Sequence, residues 1–353
     1  MILLFLALLI LTMWSCRFQW HGLRGDYLSR EQTMAVNGIF IVWVFIRHVQ
    51  TPYLVDAGYS YGFVGDQLFR RIDLMAGQLI VAMFLFNSGY GVMSSALNGG
   101  MNYVRQMPIK RILVTYLNFV VAVAIFLFLS FIIRRPVSFG QAILSFVALD
   151  GVGNSYWYIF AILICYAIFW MSASCLNVKN TRMVCLLVSV GVLSYIFVLS
   201  FLMPLYWYST VSAFALGCIW RVAKERIDKI ANRMYWPWLC TAAMAFYIVH
   251  CRIGAEWHGV RANIATLLFV VAFVMLTMKL RFNNAALAWL GAHLFPIYMY
   301  QRLPMIILSK VSSGWLTKEC VPLFIMASLT CTLTIAWAYR WWQIDFSKAK
   351  VVR

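Results

Sequence analysis

Charge is what this chain has least of. Charged residues make up 11% of it, and only 11 of its 353 residues are acidic against 29 Lys and Arg. Soluble domains carry roughly a quarter charged residues, so a fully water-facing surface is excluded. The nine cysteines form no Cys-x-x-Cys pair, and most, such as Cys165, Cys185, Cys218 and Cys331, lie within apolar runs. They read as small packed side chains, which excludes a disulfide framework, and no metal site is expected. Low-complexity runs are missing, as are polar stretches longer than about 25 residues and repeats of roughly 20–50 residues, so no second soluble domain is expected.

What is present is apolar: 63% hydrophobic residues and a mean hydropathy of +0.81. Eleven apolar stretches cover residues 2–14, 34–50, 74–95, 112–133, 156–174, 182–200, 205–221, 235–250, 263–279, 286–309 and 320–339. A run of about 20 such residues spans the hydrocarbon core, where helices satisfy their own backbone. The expected fold is all-α, a polytopic transmembrane helical bundle with ten core spans plus a short N-terminal eleventh. Residues 1–27 form a hydrophobic segment and link, 28–340 the membrane domain and 341–353 a basic tail. Arg17, Arg24 and Arg30 follow the first stretch. A signal peptide has its positive charge in front, so an uncleaved segment with its N-terminus outside is expected.

Basic residues set the sidedness. Alternate gaps hold 19 Lys and Arg, the opposite gaps nine, and Arg302 lies inside a span, while acids divide five and six. Lys and Arg collect on the cytoplasmic side, which places the C-terminus there and residues 51–73 and 134–155 outside. The excess charge therefore reads as topology, and nucleic acid is not an expected partner. The basic loop at 221–234 fits topology, a surface helix or an anionic cofactor site.

Several polar residues stand out, because an ionisable group inside lipid marks function unless it is paired or wetted. His48 lies eleven residues after Asn37, three helical turns and about 16 Å along one face. A neutral imidazole there suits a general base, while the plainer reading is an interfacial hydrogen-bonding group. Asn87 and Ser88 supply donors beside Gly89 and Gly91, which permit close helix approach. Arg105, Lys110 and Arg111 open the third core span, where cations oppose the helix dipole and call for anionic lipid or a nucleotide phosphate. Asn154, Tyr156 and Trp157 form one aromatic group and Tyr206 and Trp207 another, each fitting an interface belt or a sugar-stacking surface. His293, Tyr298, Gln301 and Arg302 load an otherwise apolar span with polarity, between Pro296 and Pro304. A broken helix lining a cavity accommodates them.

Over residues 28–340 the chain resembles the integral-membrane acyltransferases of the acyltransferase-3 type, closest to the branch that O-acetylates bacterial surface polysaccharides. The blocks carrying the resemblance begin at Leu28-Ser-Arg-Glu-Gln, ending in His48. They continue at Phe86-Asn-Ser-Gly-Tyr-Gly, Lys110-Arg-Ile-Leu, Asn154-Ser-Tyr-Trp-Tyr-Ile, Trp207-Tyr-Ser-Thr and Leu290-Gly-Ala-His-Leu-Phe-Pro. The family's essential histidine matches His48. The chain has Asn37 where the family has a basic residue, Val114 where it has a second one, and His293 where a small serine is usual.

The resemblance implies a bacterial inner-membrane enzyme using acetyl-CoA or another acyl-CoA as donor and a glycan hydroxyl as acceptor. Expected partners are membrane lipid, the donor and the glycan, with a second copy of the chain or the glycan-assembly machinery as further candidates. Lys110, Arg111 and Arg105 are expected to bind the donor's phosphates, and His48 to act as base or acyl carrier. Ser88, Asn87, Tyr298 or Gln301 would donate to the oxyanion, and Asn154, Tyr156, Trp157, Tyr206, Trp207 and Arg302 would hold the acceptor. A transporter or lipid-linked glycan flippase is the rival reading, since broken helices and mid-membrane polar residues occur there too.

Overall fold

All eleven apolar stretches are wholly or largely helical in the computed structural model, which describes residues 1–14, 16–252 and 258–345. The helices are α1 (Ile2–Trp14), α2 (Arg30–His48), α3 (Val64–Ala76), α4 (Leu79–Met107), α5 (Val114–Ile132), α6 (Phe139–Phe146), α7 (Trp157–Leu176) and α8 (Thr181–Leu202). There follow α9 (Ser212–Cys251), α10 (His258–Thr277), α11 (Ala285–Ala292), α12 (Leu294–Tyr300), α13 (Arg302–Val311), α14 (Trp315–Lys318) and α15 (Val321–Ala338). A wide helical turn over Val49–Leu54 continues α2, and a second over Pro108–Leu113 joins α4 to α5.

Among the described residues, six stretches are long and apolar enough to cross a membrane: Arg30–Leu54, Leu79–Ile132, Trp157–Leu176, Thr181–Leu202, His258–Thr277 and Val321–Trp341. The second contains both α4 and α5. This is a multi-pass membrane protein. Leu3, Leu6, Phe131, Phe197 and Phe201 are exposed on the bundle's outside, where lipid and not water is the matching solvent.

Local sequence explains the main boundaries. Ser29 caps α2, its Oγ accepting from the Gln32 N–H, and Glu31 sits in the first turn, where the helix dipole favours an anion. In α9 the backbone leaves helical geometry at Met234 (φ −138°, ψ 43°), so two apolar halves flank a basic connection that is itself helical. The broken span near residue 293 is real: α11 ends and α12 begins at His293 (φ −101°, ψ 22°). The break lies before Pro296, which then occupies the first turn of α12, a position proline tolerates.

Glycines set the core spacing. A Cβ on Gly38 would lie 2.0 Å from the Leu287 carbonyl oxygen, and one on Gly291 1.8 Å from that of Met34. Helices α2 and α11 therefore touch backbone to backbone. Gly89 and Gly217 do the same for α4 and α9, with clashes of 2.0 Å and 2.2 Å against Phe214 and Phe86 oxygens. Between lipid-solvated helices this close packing replaces the hydrophobic drive. It also brings Asn37 to Asn87, whose Nδ2 donates to the Asn37 Oδ1 at 2.7 Å.

One end of the bundle is stitched by β1 (Cys16–Phe18) pairing antiparallel with β2 (Leu280–Phe282). Buried Gln32 binds both backbone groups of Phe282 at 2.9 Å, and Arg24 donates to its Oε1 at 3.2 Å. The opposite end carries α3 and α6.

Candidate active site

Two polar regions approach each other through the bundle core. The first is a cavity of about 450 Å³ that opens at the β1–β2 end between the start of α5 and the segment after α15. Arg111, Asn118 and Arg340 stand at its outer part, and Ser88, Tyr158, Ile162 and Tyr166 line its inner reach. Tyr158, Ile162 and Tyr166 are spaced by four on α7, so one face of that helix lines the cavity over about 12 Å. Arg111 lies against Tyr103 and Tyr166. Asn118 closes one wall by holding both backbone groups of Ile344 at 2.9 Å.

The second region surrounds His48, where α2 gives way to the Val49–Leu54 turn. Its Nδ1 is buried and makes no hydrogen bond. The Tyr298 ring lies 6.3 Å from the imidazole and 5.2 Å from the Tyr158 ring. Tyr158 lines the cavity, so one aromatic residue separates His48 from the cavity's inner wall. Tyr298 is 2% exposed and neighbours Ser155. Arg302, one turn beyond Tyr298 on the same face, is close enough to act electrostatically on His48, Tyr298 and Tyr156.

Around this region buried polar atoms outnumber their partners. Nδ2 of Asn154, the hydroxyls of Ser155, Ser209 and Thr210, Oε1 of Gln50 and Gln301, and Nε of Arg302 all make no hydrogen bond among the described residues. Folded proteins pair nearly all such groups with protein or with water, so these atoms are open to water or to a polar ligand. Beside them, Tyr156 meets Trp207 at 5.8 Å and Trp157 meets Tyr206 at 6.0 Å. Burial, with Tyr206 adjacent, pushes the Tyr156 hydroxyl above its ordinary value, so it is a donor at neutral pH. A further cavity of about 320 Å³ is lined by Tyr206, Ser209, Thr210, Gln78 and Thr266.

The residues singled out in the sequence are thus partly gathered. His48, Tyr298 and Arg302 converge, Gln301 is buried beside them with its Nε2 on the Tyr298 carbonyl oxygen at 3.3 Å, and the aromatic pairs form one wall. Ser88 faces the first cavity, next to Tyr158 and Tyr166. Asn87 spends its amide on Asn37. All three of Arg105, Lys110 and Arg111 are exposed, but only Arg111 lines the cavity. Asn154 uses its Oδ1 on the Val152 N–H at 3.0 Å, which orders the turn before α7.

Sequence reasoning passed over Tyr158, Tyr166, Asn118 and Arg340. The four-residue spacing of Tyr158, Ile162 and Tyr166 was a readable signal. Arg340 looked like one more topology-setting charge, and nothing local marks it otherwise.

A bundle whose cavity carries Arg111, Arg340 and Asp345 and reaches toward the half-buried His48 fits a membrane-embedded group-transfer enzyme. The family model for the acyltransferase-3 acyltransferase domain matches residues 35–341, and the chain belongs to that family. It is a membrane acyltransferase. No curated protein and no solved structure matches it.

Proposed function

We propose that the protein transfers an acyl group, acetyl in the first instance, from acyl-CoA at the Arg111 end to a glycan hydroxyl at the His48 end. The observation that carries this is the cavity running from Arg111 to Tyr158, whose ring meets Tyr298 and through it His48. A pantetheine arm extended along the face of α7 would carry the acyl group from a cytoplasmic donor toward His48. Arg111 and Arg340 answer the donor's phosphates with charge-assisted contacts. The acceptor lies against the Tyr156, Trp157, Tyr206 and Trp207 rings, with the unpaired polar atoms as its hydrogen-bonding partners.

In the transfer step His48 takes the proton from the acceptor hydroxyl as its oxygen attacks the thioester carbonyl carbon. The tetrahedral oxyanion collapses, the C–S bond breaks, and the thiolate leaves as CoA thiol by taking the proton from His48. Tyr298, just beyond the cavity's inner wall, and Ser88, within the cavity, supply donors to the oxyanion. In this reading the bundle has ten core spans plus α1, sits in a bacterial inner membrane, and has its Arg111 end and C-terminus in the cytoplasm. The acyltransferase family favours this chemistry over the transporter.

The test is isotope transfer from labelled acetyl-CoA in membranes, together with surface-glycan analysis of a deletion strain. The deletion is expected to lose one ester-linked acyl group, restored by the wild-type gene and not by His48→Ala at equal membrane abundance. Near-normal ester with His48→Ala removes the base assignment. Accumulation of unmodified lipid-linked glycan without label transfer supports the flippase.

A further inference from the structure

At the α3–α6 end a cavity of about 410 Å³ lies between the ends of α5 and α13, lined by Pro52, Tyr53, Arg134, Arg135, Ile306 and Lys310 among others. Arg134, Arg135 and Lys310 are exposed, and none of the ion pairs found among the described residues includes them. Arg134 adopts a left-handed backbone (φ 54°), which ends α5 and turns the chain into this cavity. The carbonyl ends of α5 and α13 converge there, and their dipoles ease the gathering of three cations.

One helix face runs from the cavity to the candidate active site. Gln301 keeps helical geometry (φ −57°, ψ −29°) between α12 and α13, so Tyr298, Arg302 and Ile306 share one face on successive turns. Tyr298 meets His48, Arg302 has a buried Nε without a partner, Ile306 lines the cavity, and Lys310 follows one turn on. Tyr53 closes the gap from the other side, within electrostatic reach of both Arg302 and Arg135. The distance from Arg302 to Lys310 along the helix is about 12 Å.

We infer that this cavity binds a phosphate group carried by the acceptor, and that it sets how far from that phosphate the modified hydroxyl lies. The inference rests on the glycan-acylation reading for naming the acceptor. Three cations around one cavity answer a multiply charged oxyanion, whereas a lone carboxylate would leave most of that charge unmatched. A lipid headgroup offers the same chemistry. The continuous face to His48 favours the acceptor, because a headgroup site on the perimeter needs no link to the base.

The test uses the full-length protein in phosphatidylcholine nanodiscs, with excess CoA to occupy phosphate-binding groups at the Arg111 end, and labelled inorganic pyrophosphate as probe. Wild type is expected to bind saturably. The Arg134→Gln/Arg135→Gln/Lys310→Gln variant is expected to bind more than tenfold more weakly, and Arg17→Gln, at the opposite end, as wild type does. If the triple variant fails to accumulate, Lys310→Gln alone is expected to weaken binding about threefold. No binding by wild type, or equal binding by the variants, overturns the inference. So does loss of pyrophosphate binding once phosphatidylglycerol is added, with that lipid retained by wild type and not by the variant, which assigns the cavity to headgroups. The readout is binding, so a failed His48 transfer experiment is distinguishable from a failure here.

Discussion

Tyr298 touches both halves of the candidate active site: its ring centroid is 6.3 Å from that of His48 and 5.2 Å from that of Tyr158. It is the residue through which a donor in the long cavity would meet the base. Tyr298→Phe keeps the ring and removes the hydroxyl. The loss of one preorganised oxyanion donor costs about 10²–10³ in kcat. We expect a fall of that order with little change in KM for acyl-CoA, measured by label transfer in reconstituted membranes. A Phe variant with full kcat would confine Tyr298 to packing. Tyr298→Ala is the poorer probe, because deleting a buried aromatic ring destabilises by roughly 3–5 kcal/mol.

Arg111 and Lys110 are neighbours in sequence and not in role. Arg111 lines the cavity of about 450 Å³, and Lys110 does not. A charge-assisted contact to phosphate contributes roughly 1.5–3 kcal/mol, less where water screens it. Arg111→Gln is expected to raise the acyl-CoA dissociation constant about tenfold, and Lys110→Gln or Arg105→Gln less than threefold. Titration of the purified protein at two salt concentrations checks this. Equal effects at Lys110 and Arg111 would mean a diffuse basic mouth.

The same pair shows where sequence reading reaches and where it stops. Hydropathy identified the long apolar helices, because lipid demands such runs and leaves the backbone one solution, but not α3 and α6, which lie largely in the segments read as external connections. Polarity near residue 293 likewise pointed to a broken helix, and α11 and α12 part at His293. Adjacent helical residues point about 100° apart, so composition weighted Lys110 and Arg111 alike while geometry turns only one toward the cavity. The meeting of Tyr158 with Tyr298 joins α7 to α12, and no local spacing encodes a contact between distant helices. Arg340 belongs to the cavity because Asn118 fixes the following segment by its backbone, which leaves no side-chain signature at Ile344.

Asn37 and Asn87 form one polar pair across α2 and α4, at the depth where Gly89 brings α4 and α9 together. Removing one amide leaves the other buried without its partner, which costs about 1–3 kcal/mol. Asn37→Leu and Asn87→Leu are each expected to lower thermal stability. The double variant should lose clearly less than the two singles combined, since both polar groups are then gone. Additive losses in a detergent melting assay would show that the two side chains act independently.

Asp66 ties α1 to α3. Its carboxylate accepts from the Ile2 N–H at 2.7 Å and from the Tyr59 hydroxyl. Burial alone would raise its pKa, but the hydrogen bonds from Tyr59 and the Ile2 amide, together with the Met1 ammonium 2.9 Å away, outweigh it and hold the group below its ordinary value. A carboxylate depressed in the folded state stabilises fully above its unfolded pKa of about 3.9, and that stabilisation fades as pH falls through the lower folded value. Hydrogen exchange in residues 2–14 should therefore be flat from neutral pH to about 4 once corrected for intrinsic rate, then rise. Asp66→Asn should remove the step. A step persisting in that variant would locate the titrating group elsewhere.

Sidedness decides whether the donor cavity meets the cytoplasmic acyl-CoA pool. Arg111, Arg340 and the β1–β2 pair lie at one end of the bundle, α3 and α6 at the other. Among the described residues the Lys and Arg divide 16 to nine in favour of the first end, the bias expected of a cytoplasmic face. Single cysteines placed at Gly58 and Gly140 should therefore react with an impermeant maleimide in intact cells. A cysteine at Lys229, in the helical connection within α9, should react only after permeabilisation, and Cys175, Cys240, Cys251 and Cys331, which are exposed, must first be replaced by Ser. Labelling at Lys229 in intact cells would invert the bundle. The Arg111 cavity would then open away from acyl-CoA, and transfer would have to begin at the His48 end.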